Sequence, residues 1–132
     1  MRYLLDTHSW IWGQATPERL GANTRAILEG TGDYEELLLS AMSIGELGVL
    51  VAKNRVEVQL PLPQWVAKAC SMTRFRLVHL SGEIGVEAAT LPGDFHFDPA
   101  DRVIAATARI EGATILTADR ALHAYPHVRC LW

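Results

Sequence analysis

Cysteine is almost absent from this chain: two in 132 residues, Cys70 and Cys130. There is no C-x-x-C pair and no Cys/His ligand spacing. That excludes a zinc-ribbon type of site and a disulfide framework, and it fits reduced, buried thiols. A basic excess is missing too. Lys and Arg number 12 against 15 Asp and Glu, a formal net charge of −3. Such a balance counts against a protein that holds duplex nucleic acid through a broad positive field. It leaves room for an enzyme that holds its substrate through metal ions and a local basic rim. No apolar stretch approaches the ~20 residues needed to span a bilayer. Met1-Arg2-Tyr3-Leu4-Leu5-Asp6 meets an acid too early for a signal peptide. A cytoplasmic chain with no membrane association is the expectation. Internal repeats, low-complexity segments and domain-dividing linkers are also lacking. What is abundant is hydrophobic: 49% of the residues, enough to bury the core of one domain spanning 1–132.

Strand-like and helix-like segments alternate along the chain. Tyr3-Leu4-Leu5, Glu36 to Ser40, Phe75 to Leu80, Ala113 to Leu116 and His127 to Leu131 read as strands, the last at a sheet edge. A one- or two-turn helix should follow Asp6 and be cut at Gly13, before a loop around Pro17. Leu20, Thr24, Ile27 and Leu28 have helical spacing. Further helices are expected over 41 to 54, after Pro61, from Ser81 to Leu91, over 98 to 111 with Gly112 as its stop, and from Asp119 to Tyr125. The longest irregular stretch should be Gly93 to Phe97. This alternation predicts an α/β fold with helices on both faces of a mostly parallel sheet of about five strands.

Four acids stand out on that layout: Asp6, Glu46, Asp101 and Asp119. In open α/β sheets, ligands bind beyond the carboxyl ends of the strands. Asp6 follows the first strand directly, Glu46 lies one to two turns into the helix after the second, and Asp119 stands just past the fourth. Asp101 opens its own helix. Taken singly, each has an ordinary role at a helix start, worth ~0.5–2 kcal/mol. Ser43-Ile44-Gly45-Glu46 has the form of a capping box, and Asp98-Pro99-Ala100-Asp101 has a cap, a first-position proline and an acid. Taken together they point elsewhere. Carboxylates gathered within a few ångströms repel one another, and a cation relieves the repulsion. An all-oxygen set without Cys or clustered His favours Mg²⁺ or Mn²⁺ over Zn²⁺.

The same residues, in this order, resemble the PIN domain, and within it the VapC-type ribonuclease toxins of bacterial type II toxin–antitoxin pairs. The resemblance covers essentially the whole chain. It runs through Tyr3-Leu4-Leu5-Asp6-Thr7-His8, then Leu39 to Leu47, then Leu116-Thr117-Ala118-Asp119-Arg120. Its most specific part is His96-Phe97-Asp98-Pro99-Ala100-Asp101-Arg102. It implies a three-layer α/β/α PIN fold and an Mg²⁺- or Mn²⁺-dependent endoribonuclease. Carried over position by position, Asp6, Glu46 and Asp101 would be the core metal ligands. Asp119 would complete the site directly or through water, with Thr117 in support. The resemblance also implies a homodimer and a VapB-like antitoxin laid across the pocket. Products would carry a 5′-phosphate and a 3′-hydroxyl. The chain departs at Gly45, where relatives often carry Trp, which bears on local packing or a partner surface rather than on the acid.

The alternative is a non-catalytic PIN-like module that binds RNA or protein; loss of a core acid would have favoured it, and none is lost. A phosphohydrolase with Asp6 as covalent nucleophile needs an acid two residues on, where His8 stands. Arg102, Arg120 and Lys53 are candidate rim contacts for RNA, though a solvated face or an ion pair is the commoner role for such residues. Trp10 and Trp12 could stack bases, but burial in the core or at a dimer surface is the ordinary expectation for tryptophans in an apolar helix. His8 and His96 could sit near the pocket, with local hydrogen bonding as their commoner role.

Overall fold

A computed structural model describes residues 1–30, 36–95 and 98–132. The five strands are β1 (Arg2–Leu5), β2 (Glu36–Ser40), β3 (Phe75–Val78), β4 (Thr114–Leu116) and β5 (Arg129–Leu131). They form one sheet in the order β3-β2-β1-β4-β5, and every pairing is parallel. β5 is an edge strand, as its place in the sequence suggests.

The period-two pattern of the strands divides the core. Leu4, Leu38 and Ile115 lie in register across β1, β2 and β4 and face one side. Tyr3, Leu5, Leu37, Leu39 and Leu116 face the other. On the first side pack α5 (Gly82–Ala89), α6 (Pro99–Glu111) and α7 (Arg120–Ala124). On the second pack α1 (Thr7–Ala15), α2 (Ala22–Leu28), α3 (Ala41–Ala52) and α4 (Leu62–Ala69). The result is three layers. Leu4, Leu38 and Ile115 have no exposed surface, and full burial of such a side chain is worth ~1.5–3 kcal/mol.

Several expected boundaries shift for physical reasons. Gly13 does not cut α1, which continues to Ala15. A Cβ at Gly13 would stand 2.9 Å from Leu28 Cδ1, so this glycine admits α2 rather than ending α1. Pro17 sits in a short 3₁₀ turn, Pro17–Arg19. α3 is not opened by a capping box at Ser43. Its cap is Ser40, whose hydroxyl accepts from the Met42 amide, and Ser43 is a buried residue inside the helix. Gly112 ends α6 in the left-handed conformation, φ 62°, as expected. Residues 53–61 form a longer irregular stretch than Gly93 to Phe97, of which positions 96 and 97 lie outside the described residues. Trp10 is fully buried and gives its indole N–H to the Ala69 carbonyl at 3.2 Å. Cys70 and Cys130 are free and half-buried, and burial pushes the Cys130 thiol up to about 11.

The strand order sets where a ligand can enter. From β1 the chain builds outward to β2 and β3, then crosses back to lay β4 on the other side of β1. The crevice beyond the carboxyl ends of β1 and β4 is therefore a topological switch point. Asp6 follows β1, and Asp119 closes the short segment after β4.

Candidate functional site

Asp6, Glu46, Asp98, Asp101 and Asp119 line one cleft of about 420 Å³ at that crevice. All four acids singled out in the sequence reach it. Asp6, Asp101 and Asp119 are carried there at the starts of helices, and Glu46 from inside α3. Asp6 caps α1, with one carboxylate oxygen accepting from the Ser9 amide at 2.8 Å. The other oxygen accepts from the Thr117 hydroxyl. Thr117 is fully buried, and its hydroxyl in turn accepts from the Asp119 amide at 3.0 Å. Asp119 caps α7, accepting from the Ala121 amide at 2.8 Å. His123, one turn along α7, meets the Thr117 carbonyl through Nε2 at 2.7 Å. The Ser9 hydroxyl donates to the Leu116 carbonyl at 2.6 Å, so α1 and the end of β4 are tied together. Thr117 thus fixes both acids at once, and capping and site-building prove to be one arrangement rather than rivals.

Glu46 approaches from the facing helix α3. Its Oε1 accepts from the Thr7 hydroxyl at 2.6 Å, and Thr7 Oγ1 lies 2.8 Å from the Ser43 hydroxyl. Both hydroxyls are buried. Thr7 and Ser43 were not read from the sequence as supports of the site, Ser43 being read as a helix cap. Two signals were there: Thr7 adjoins Asp6, and Ser43 lies three residues before Glu46, on the same helix face. Gly45 is exposed and faces open space, so it leaves Glu46's supports untouched.

Asp101 lies in the first turn of α6. Its amide donates to the capping carboxylate of Asp98 at 2.9 Å. Asp98 is therefore a cap, as read from the sequence, and also part of the cleft wall. Burial, then repulsion from Asp98, Asp119, Glu46 and Asp6, pushes the Asp101 carboxyl up to about 7. Among the described residues no Lys or Arg forms an ion pair with any of these acids.

The candidate rim cation Arg102 is not available to a ligand. Its guanidinium donates to the Ala88 carbonyl at 2.8 Å and the Phe95 carbonyl at 2.7 Å, tying α6 to the end of α5. A guanidinium satisfied by fixed carbonyls has few donors left for phosphate. His8 and Trp12, by contrast, both line the cleft. His96 lies outside the described residues.

The donor set is wholly oxygen, which suits Mg²⁺ or Mn²⁺. Among the described residues no three His, Cys, Asp or Glu side chains close into a ready cage for a metal ion; the acids ring the cleft instead. That arrangement fits a hard ion that keeps several of its own waters and needs one or two carboxylates directly. The repulsion concentrated on Asp101 is what such an ion would relieve.

Comparison with known proteins agrees with this layout. A family model described as the PIN domain matches residues 3–128. The chain is 33% identical over 126 residues to Ribonuclease VapC22 of Mycobacterium tuberculosis, covering 96% of this chain and 93% of that protein. Among solved structures it resembles VapBC2 from Rickettsia felis bound to a promoter DNA fragment, with a TM-score of 0.75 at 18% identity, covering 99% and 98% of the two chains. It also resembles a toxin–antitoxin complex from Klebsiella pneumoniae, with a TM-score of 0.67 at 19% identity over 96% and 94%. The three-layer α/β/α architecture expected from the sequence is the one these structures share. The chain belongs to the PIN-domain family, in its VapC-type branch.

Proposed function

We propose that this chain, as one domain over 1–132, is an endoribonuclease that hydrolyses RNA phosphodiester bonds with Mg²⁺ or Mn²⁺. It acts as a cytoplasmic toxin neutralised by a cognate antitoxin, with the homodimer as its assembly. The observation that carries the reading is the convergence of unpaired acids on one cleft, with the Asp101 carboxyl pushed up to about 7 by its neighbours. Kinship with a protein named a ribonuclease supports the reaction class. Likeness to toxin–antitoxin complexes supports the partner.

In this reading Asp6, Glu46 and Asp101 hold the cation, and Asp119 completes the set. When bound, Mg²⁺ or Mn²⁺ supplies Lewis-acid charge at the scissile phosphate and water of lowered pKa. The protein's own part is positional. Thr117 donates to Asp6 and fixes its second oxygen, while the Ser9 amide fixes the first. Thr7 donates to Glu46 and is itself held beside Ser43. These supports keep carboxylate oxygens aimed at the cleft before any cation arrives, which limits reorganisation on binding.

The test is cleavage of mixed structured and single-stranded RNAs by the purified protein in Mg²⁺, Mn²⁺ or EDTA, beside Asp101→Asn. Cleavage should require metal and vanish in the variant. Equal activity in EDTA, or an unimpaired variant, would overturn the metal-site reading. RNA binding without any cleavage would favour a non-catalytic module.

A further inference from the structure

The acids account for one side of the cleft and leave the other unexplained. An acidic pocket repels RNA on approach, and none of the described residues lining it is Lys or Arg. Among the described residues its aromatic lining is His8 and Trp12. They stand four residues apart on α1, on one helix face, with ring centroids 5.5 Å apart. His8 is exposed and Trp12 is half-buried. Behind Trp12 packs Trp132, edge-on at 6.0 Å. Gly21 admits that packing, since a Cβ there would stand 2.5 Å from the Trp132 backbone. The Arg19 guanidinium lies 4.2 Å from the centre of a Trp12 ring. Arg19 is exposed, and among the described residues its guanidinium meets the Trp12 ring and no carboxylate.

These features make a platform. A guanidinium stacked on an indole keeps its N–H donors in its own plane, directed away from the ring and free for a phosphate. The exposed His8 imidazole, tilted 52° to the half-buried Trp12 indole, offers a ring face to a base, and stacking on such faces is tolerant of sequence. Asp6 caps α1, so helical rise places His8 about 3 Å and Trp12 about 9 Å along the axis from that acid. The platform therefore lies beside the acidic centre, on the helix that Asp6 caps.

Resting on the ribonuclease reading above, we propose that His8 and Trp12 form a stacking subsite for a nucleobase next to the scissile phosphate, and that Arg19 contacts the adjoining backbone phosphate. The ligand class is unpaired RNA, because a base inside a duplex has no free face. The subsite supplies the attraction that the acids cannot, and it holds an unpaired base beside the cut whatever its identity.

Binding of a labelled mixed-sequence single-stranded RNA tests this, with Ca²⁺ replacing Mg²⁺ to retain a divalent ion. The comparison is an abasic RNA of equal length, against wild type, His8→Ala, Trp12→Phe and Arg19→Gln. His8 and Arg19 are exposed, so their variants should fold. Wild type should bind the base-bearing RNA about tenfold more tightly than the abasic one. His8→Ala should lose most of that ratio, and Trp12→Phe should retain part of it. Arg19→Gln should weaken both RNAs by a similar factor. The same variants should raise KM for RNA cleavage more than they lower kcat. Equal binding of the two RNAs by wild type, or variants that bind as wild type does, would overturn the subsite. Metal-dependent cleavage that persists beside such flat binding sinks this inference alone. Base-dependent binding without cleavage would sink the catalytic reading and leave the subsite standing.

Discussion

Helix α6 carries an acid at each end, and the two meet opposite fates. Asp101 opens the helix at the carboxyl ends of the strands, and Glu111 closes it at their amino ends. Glu111 accepts from Arg76 at 2.8 Å, and Arg76 also donates to Glu36 at 2.9 Å. Arg2 completes the group, 3.6 Å from Glu36. The hydrogen bond from Arg76 holds the Glu111 carboxyl below the usual range. Asp101 has only burial and other acids about it, and its carboxyl rises to about 7. One sheet thus has a pole where opposite charges are matched and a pole where like charges gather unmatched. Matched charge needs nothing further. Unmatched charge at a switch-point cleft is relieved by taking up a proton or by a cation from outside. The difference locates the candidate site independently of sequence motifs.

The contrast can be broken at the acidic pole first. Replacing Asp6, Glu46 or Asp101 by its amide should cut metal-dependent RNA cleavage by roughly a thousandfold or more, while circular dichroism stays native. Replacing Thr117 by Val removes the donor to Asp6. That should lower metal affinity or turnover by about 10- to 100-fold, as other support shells do, and isothermal titration with Mn²⁺ would show which. A third measurement concerns stability alone. The folded protein holds a proton on Asp101 that the unfolded chain releases, so metal-free stability should fall as pH rises from about 4 to about 7. Solvent screening at a half-buried carboxylate reduces the effect to about 1–2 kcal/mol. Asp101→Asn should therefore melt higher than wild type in EDTA at pH 8, and an equal or lower Tm would contradict the repulsion. The smallest change belongs to the matched pole. Arg76→Ala should cost about 1 kcal/mol in urea unfolding and leave the metal requirement of cleavage unaltered.

How far the sequence carries can be judged residue by residue. β2 is bounded in the sequence as it is in space, because Glu36 and Ser40 flank an unbroken run of leucines. α6 was equally clear from Asp98, Pro99 and Gly112. Asp6, Asp101 and Asp119 reach the cleft because strand ends and helix starts are local signals that the fold gathers at one pole, and Glu46 reaches it from one to two turns inside α3. What was hidden depends on contacts between distant segments. Gly13 looks like a helix breaker until Leu28 is packed against it. Ser43 looks like a cap until Thr7 takes its hydroxyl, because Ser40 had already served as the cap. Arg102 looks like a rim cation until the carbonyls at the end of α5 consume its donors. Trp12 reads as core, and only its place beside Arg19 and His8 turns it toward the cleft.

The pairing of β1 with β4, and the bond from Thr117 to Asp6, also have a meaning in time. Synthesis delivers Asp6 111 residues ahead of Thr117, its hydrogen-bond partner. Until β4 leaves the ribosome, β1 lacks its neighbour and Asp6 lacks its anchor. A chain released only as far as α6 would therefore lack the hydroxyl that fixes the second oxygen of Asp6.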